Sequence, residues 1–204
     1  MPVLVCVELR SLSGRLPMII PFPKPAAAKD SLLPAIPSIS DEPLEMLEAC
    51  HGRVRAFTET LRKLVPHLAK NGADAEAAQA ASNILRYFDL AAPKHHQDEE
   101  VDLFPLLLAT APEDTDLAAA INQLRAEHLQ MGHLWLQLRE LLLLVSEGRM
   151  ADLGRDNLAE CFADFYQQHA ASEEAGVFAA AQHLLSPSQR ELLGRSMAAR
   201  RQDR

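Results

Sequence analysis

Strand signals are nearly absent from these 204 residues, and aromatic side chains make up only 5% of them. With 48% apolar residues, many of them Ala and Leu, that balance points to an all-α chain with one sizeable core. Positive charge is in short supply as well. The net charge is −8 and the basic residues are scattered, apart from Arg200, Arg201 and Arg204, so there is no electrostatic footprint for nucleic acid. No apolar run approaches the roughly 18 residues that a membrane span needs. Met1 to Val7 is apolar, but Glu8 and Arg10 break it and no basic leader precedes it, which makes a poor signal peptide. Cysteine is scarce too. Cys6, Cys50 and Cys161 are odd in number and lack a CxxC spacing, which fits a reducing, cytoplasmic setting better than a disulfide framework.

What is present divides into two regions. Residues 1–39 carry Pro2, Pro17, Pro21, Pro23, Pro25, Pro34 and Pro37 between short apolar pieces, and a helix cannot run through that. This stretch reads as a leader or as an extended arm, laid over the bundle or over a second subunit; a homodimer is one arrangement it allows. Residues 40–204 read as a bundle. The first helix begins near Ser40, Asp41, Glu42 and Pro43 and stops at Asn71-Gly72. The second runs from about Ala73 to Leu108, bent at Pro93 and open to a break at Pro105. The third opens at Pro112, Glu113 and Asp114 and reaches Glu147-Gly148, and the fourth spans about Ala151 to Leu185. Ser186-Pro187-Ser188-Gln189 reads as a capping box that starts a short fifth helix.

Each of the four long helices carries an apolar stripe with one histidine in it. Leu44, Leu47, His51, Val54, Thr58 and Leu61 form the first, and Ile121, Leu124, His128, Met131, Trp135 and Leu138 form the third. In the second, Leu85, Phe88 and Ala92 lead to His95 and Glu99. In the fourth, Leu158, Phe162 and Phe165 lead to His169 and Glu173. Four residues are about one turn, so each histidine and its glutamate lie about 40° apart on one inward face. His96 and Glu100 fall in line with Asp89 and Pro93 and are expected to face solvent, while Glu174 sits about 100° from Glu173. The distances along the chain agree at the connections: about 21 and 23 residues on the two sides of the first, about 16 and 15 at the second, about 20 and 19 at the third. In an antiparallel up-down-up-down bundle, equal arms bring His51, His95, Glu99, His128, His169 and Glu173 to one level.

Two buried carboxylates without compensating positive charge cost several kcal/mol each. No Lys or Arg occupies the stripes near that level, so cations are the expected partners. With no thiolate in the layer, mixed nitrogen and oxygen donors suit iron or manganese better than a structural zinc site.

The order H…HxxxE…H…HxxxE, filled by His51, His95, Glu99, His128, His169 and Glu173, resembles the hemerythrin-like, or HHE cation-binding, domains. The words His95-His96, Glu99-Glu100, Leu103-Phe104-Pro105 and Glu127-His128 add to the likeness, which covers roughly residues 41–200. The resemblance implies an antiparallel four-helix bundle with two iron ions, manganese or zinc being substitutes, in which Glu99 and Glu173 bridge the metals and the histidines are terminal ligands. Departures from the oxygen carrier are visible. Where that protein has a second histidine one turn further along the third helix, this chain has Gly132, and His133 is about 140° round from His128. The fourth helix has glutamate at the fourth position where the carrier has aspartate at the fifth. An extra coordination position follows, open to water, oxygen, peroxide, nitric oxide or an outside side chain.

Tyr166 and Glu127 are each read either as supports or supplementary ligands of the site or as ordinary surface and packing residues. His67 and His183 fall outside the layer. The leading expectation is a binding or sensing module for oxygen, nitric oxide, peroxide or iron. The alternatives are a di-iron peroxidase or oxidase of oxidative-stress defence and a bundle that metal merely stabilises.

Overall fold

The computed structural model describes residues 42–202, and every regular element among them is helical. The proposed arm, with Ser40 and Asp41, lies outside the described residues. Helix α1 spans Pro43–Asn71, with Pro43 in its first turn and Gly72 closing it at a φ of 77°. Only glycine takes that conformation without strain from a Cβ. Helix α2, Ala75–Arg86, is capped by Asp74, whose carboxylate accepts the Ala77 N–H at 2.9 Å. Helix α5, Thr115–Ser146, is capped the same way by Asp114 through Leu117.

Between α2 and α5 the chain does not break at its prolines. It passes through a π turn at Tyr87–Ala91, helix α3 at Ala92–Gln97, a second π turn at Asp98–Leu103 and helix α4 at Phe104–Thr110. Ala92 N–H reaches back five residues to Tyr87, and Phe104 N–H reaches Glu99 in the same manner. Each wide turn comes just before a proline, and by displacing the preceding carbonyls it makes room for a ring that would otherwise clash with them. The arm 75–110 is therefore one continuous rod whose phase shifts twice.

The expected fourth helix starts later than its sequence suggested. Residues 151–157 form a loop ending in a 3-10 turn at Arg155–Asn157, where Asp156 and Asn157 have φ values of 51° and 55°. Two successive left-handed residues stop an α-helix from running through. Helix α6 then covers Leu158–Glu173, a third π turn Glu174–Phe178, and α7 Ala179–Leu184. The capping box is present: Ser186 N–H donates to the Gln189 side chain at 2.9 Å, and α8 runs from Pro187 to Gln202.

Helix α1 packs against α2 and α6, and α5 packs against the same two. The apolar interior is split in two. One cluster contains Val54, Leu61, Ile84, Phe88, Met131, Leu138 and Phe162, and the other Leu47, Leu103, Leu107, Ile121, Leu124, Val177 and Phe178. In every arm the gap between the two clusters falls at the same place: between Leu47 and Val54, Ala92 and Leu103, Leu124 and Met131, Tyr166 and Val177. Those gaps hold the inward histidines and glutamates.

Helix α8 is tied to the outside of that level. Arg200 and Arg201 both bond to Asp98, Arg200 and Ser196 hold Asp102, and Lys94 donates to the Arg200 carbonyl at 2.8 Å. Asp98 has no exposed surface. Burial pushes its carboxyl above the usual range, against the pull of the two arginines. No helix among the described residues is long and apolar enough to cross a membrane.

Candidate metal centre

The structure brings all six predicted residues into one layer, and none exposes more than the 6% of His128. His95 Nε2 lies 3.0 Å from Glu99, His51 Nε2 3.3 Å from Glu173, His169 Nε2 3.5 Å from Glu173 and His128 Nε2 3.6 Å from Glu99. Three donor groups overlap there, with atoms within 4.8 Å of one another in each: His51, His95, Glu99 and Glu173; His96, Glu99 and His128; and His128, His169 and Glu173. Glu99 and Glu173 each belong to two of the groups.

The outer edges of three imidazoles are held by carboxylates from a neighbouring arm. Glu174 sits 2.9 Å from His51 Nδ1, Glu100 2.6 Å from His128 Nδ1 and Glu127 2.8 Å from His169 Nδ1. A carboxylate accepts, so each Nδ1 carries the hydrogen and each Nε2 is left with a lone pair aimed inward. Glu100 is exposed, as expected, and nonetheless bonds to His128. A helical wheel gives the direction of Cβ, whereas a glutamate is long enough to reach sideways to the next helix. Glu174 is likewise engaged, shared between His51 and Arg55. Of the two readings left open for Glu127, the structure gives it a partner in the layer.

His96, expected to face solvent, is half-buried. Its Nε2 is buried and its ring stacks on His128 at 4.0 Å, 12° from parallel. Tyr166 is buried against Phe88 and Phe162, with its ring 6.1 Å from that of His96. His133 and His183 are exposed, and His67 bonds to Asp74 far from the layer. Cys50 adjoins His51 but takes no part in the donor groups; Arg53 donates to its Sγ at 3.0 Å.

Electrostatics separates the two carboxylates. Burial, and then the neighbouring Glu173, drives Glu99 well above the usual range. Burial works against ionised Glu173 too, but His169 and His51 together outweigh it and hold Glu173 below the usual range. Burial and the surrounding imidazoles keep His95 and His96 well below the ordinary histidine value, and bring His128 to about 4. Burial works against protonated His169 as well, but the adjacent Glu173 and Glu127 carboxylates outweigh it and move His169 up.

Without a cation this arrangement is poorly satisfied. His51 Nε2, His96 Nε2 and both oxygens of Glu99 and of Glu173 are buried without a hydrogen-bond partner. His128 Nε2 and His169 Nε2 face each other at 3.1 Å, two lone-pair edges that need a proton or a cation between them. Among the described residues Glu99 and Glu173 pair only with histidines, because Arg55 is taken up by Glu174 and the α8 arginines by Asp98 and Asp102. Neutral imidazoles and anionic oxygens converging in an otherwise apolar interior fit cations.

Fold and layer together define a helical protein of the cation-binding kind. The chain matches the family model for the hemerythrin HHE cation binding domain over residues 42–181, and it belongs to that family. It is also 37% identical over 163 residues to an uncharacterized protein of Haemophilus influenzae, covering 79% of this chain and 91% of that one.

Proposed function

We propose that this chain is a non-heme di-iron protein that binds or senses a small ligand: oxygen, nitric oxide, peroxide or iron itself. The observation that carries the reading is the sharing of Glu99 and Glu173 between overlapping donor groups, the arrangement two adjacent cations require. His51 and His95 would hold one ion, His128 and His169 the other, and the two glutamates would join them. Nitrogen and oxygen donors without thiolate favour iron, with manganese or zinc as substitutes. Helix α1, the arm 75–110, helix α5 and the arm 158–184 would run up-down-up-down, the short reversals at residues 72–74 and 111–114 favouring antiparallel neighbours.

Bound iron would supply a redox-active Lewis-acid centre for a small ligand. The protein's own residues do the remaining work. Glu100, Glu127 and Glu174 hold the imidazoles with Nε2 inward, and the two apolar clusters keep bulk water from the layer. Access favours a molecule of a few atoms, since no member of the layer exposes more than 6%. A surface groove of about 380 Å³ between Val65, Leu68 and Met150 and another of about 500 Å³ beside Glu42, Glu45 and Arg190 are lined by none of the six.

The test is to load the full chain with iron(II) without air and record its visible spectrum before and after oxygen, nitric oxide or peroxide. A new band with at least one of them supports the reading, and sustained peroxide consumption would redirect it to an enzyme. A spectrum unmoved by all three would overturn it.

A further inference from the structure

His96 is a half-buried histidine, with a buried ring nitrogen, that the six-residue pattern leaves without a task. Its Nε2 has no hydrogen-bond partner, its ring lies against that of His128 at 4.0 Å, and its donor atom groups with those of Glu99 and His128 within 4.8 Å. Helix α5 offers no second histidine at this level. A Cβ added at Gly132 would meet nothing within 4 Å, and His133 is exposed.

We infer that His96 is a fifth imidazole ligand, serving the cation held by Glu99, His128 and His169. The inference rests on the di-metal reading and adds to it one residue from a different helix. Neighbours in a helix diverge by about 100°, so His95 and His96 are poorly placed to share one ion. They are well placed to serve two. His95 groups with His51 and lies against one oxygen of Glu99, whereas His96 groups with His128, which lies against the other. Sitting in α3 between two π turns, the pair His95-His96 straddles the layer, with ring centroids 5.8 Å apart. A packing role alone would explain the stack on His128, but it would leave a buried ring nitrogen facing carboxylate and imidazole atoms with nothing bound to it.

Two measurements test this on the full chain. In the first, metal-free wild type, His96→Ala and His96→Phe are titrated with iron(II) against a chromophoric chelator, and bound metal is counted. Losing a partner one bond beyond a metal costs about 10–100-fold in affinity, so losing a ligand should cost no less. Both variants should keep one tight ion and bind the other at least about tenfold more weakly, with imidazole restoring part of the loss in His96→Ala. His96→Phe keeps an aromatic ring against His128, so two ions still held as tightly as by wild type would overturn the inference. In the second, nitrogen chemical shifts of histidine-labelled wild type loaded with zinc report how many of the eight histidines carry a metal-bound ring nitrogen. Five supports the inference, whereas four overturns it without touching the di-metal reading. Wild type that binds no metal in either experiment would overturn both.

Discussion

If His169 is a metal ligand as proposed, removing the Glu127 carboxylate should weaken metal binding although Glu127 itself contacts only the outer nitrogen of that ring. Its oxygen lies 2.8 Å from His169 Nδ1, and the side chain is only 17% exposed. Such a bond fixes the ring's orientation and tautomer and adds negative charge behind the donor nitrogen. Losing a partner of this kind costs about 10–100-fold in affinity, or about 1.4–2.8 kcal/mol. The three outer carboxylates should not contribute equally. Glu100 makes the shortest bond, 2.6 Å to His128, but is 43% exposed, so solvent screens its charge and its effect should fall at or below the lower limit. Glu174, 31% exposed, already shares its charge with Arg55 and should lie between. The assay is competition for iron(II) between a chelator and each variant. Glu127→Ala should lose the most and Glu100→Ala the least, and Glu127→Gln, which can still accept from Nδ1–H, should recover part of the loss. Exposed Glu140, on α5, serves as the control. If Glu127→Ala, Glu174→Ala and Glu140→Ala all bound iron equally well, the argument from imidazole orientation would be refuted.

Chelation should lower the melting temperature of the wild type, because metal at about 100 times its dissociation constant adds about 2.7 kcal/mol to the folded state; unchanged melting would contradict a site formed only on folding. The double variant Arg200→Ala/Arg201→Ala leaves Asp98 buried and unpaired and should cost about 3 kcal/mol in denaturant unfolding, with amide exchange rising first across Pro187–Gln202. Asp74 predicts a pH signature. The Ala77 N–H, then the His67 side chain, holds its carboxyl below 3.8. A depressed folded value stabilises the protein above the unfolded value, and that contribution is lost as pH falls through the folded one. The melting-temperature gap between wild type and Asp74→Ala should therefore shrink as pH falls below 3.8; a gap that grew over that range would refute the assignment.

The layer was legible because each arm advertises it in the same way: an apolar stripe interrupted once by histidine, at a distance from the turn that its neighbour matches. Helix ends were legible where a glycine or a cap dictates the backbone, as at Gly72, Asp114 and Ser186. What escaped the sequence depends on geometry that a fixed 100° step cannot express. His96 reads as outward on a regular wheel, but π turns flank α3 and shift the phase, and its Nε2 is buried. Asp98 could not be matched with Arg200 and Arg201 without knowing that α8 folds back beside it. The late start of α6 had a local signal, since Asp152, Gly154, Asp156 and Asn157 are turn formers.

The central claim is that the buried imidazoles and carboxylates exist to hold a pair of cations, and metal counting on the protein purified from iron-supplied cells tests it most directly. Wild type should carry about two ions per chain, and Glu99→Ala/Glu173→Ala, which removes both shared carboxylates, should carry none while staying helical. A wild-type chain with less than about one ion, or a double variant that retains two, would contradict the account.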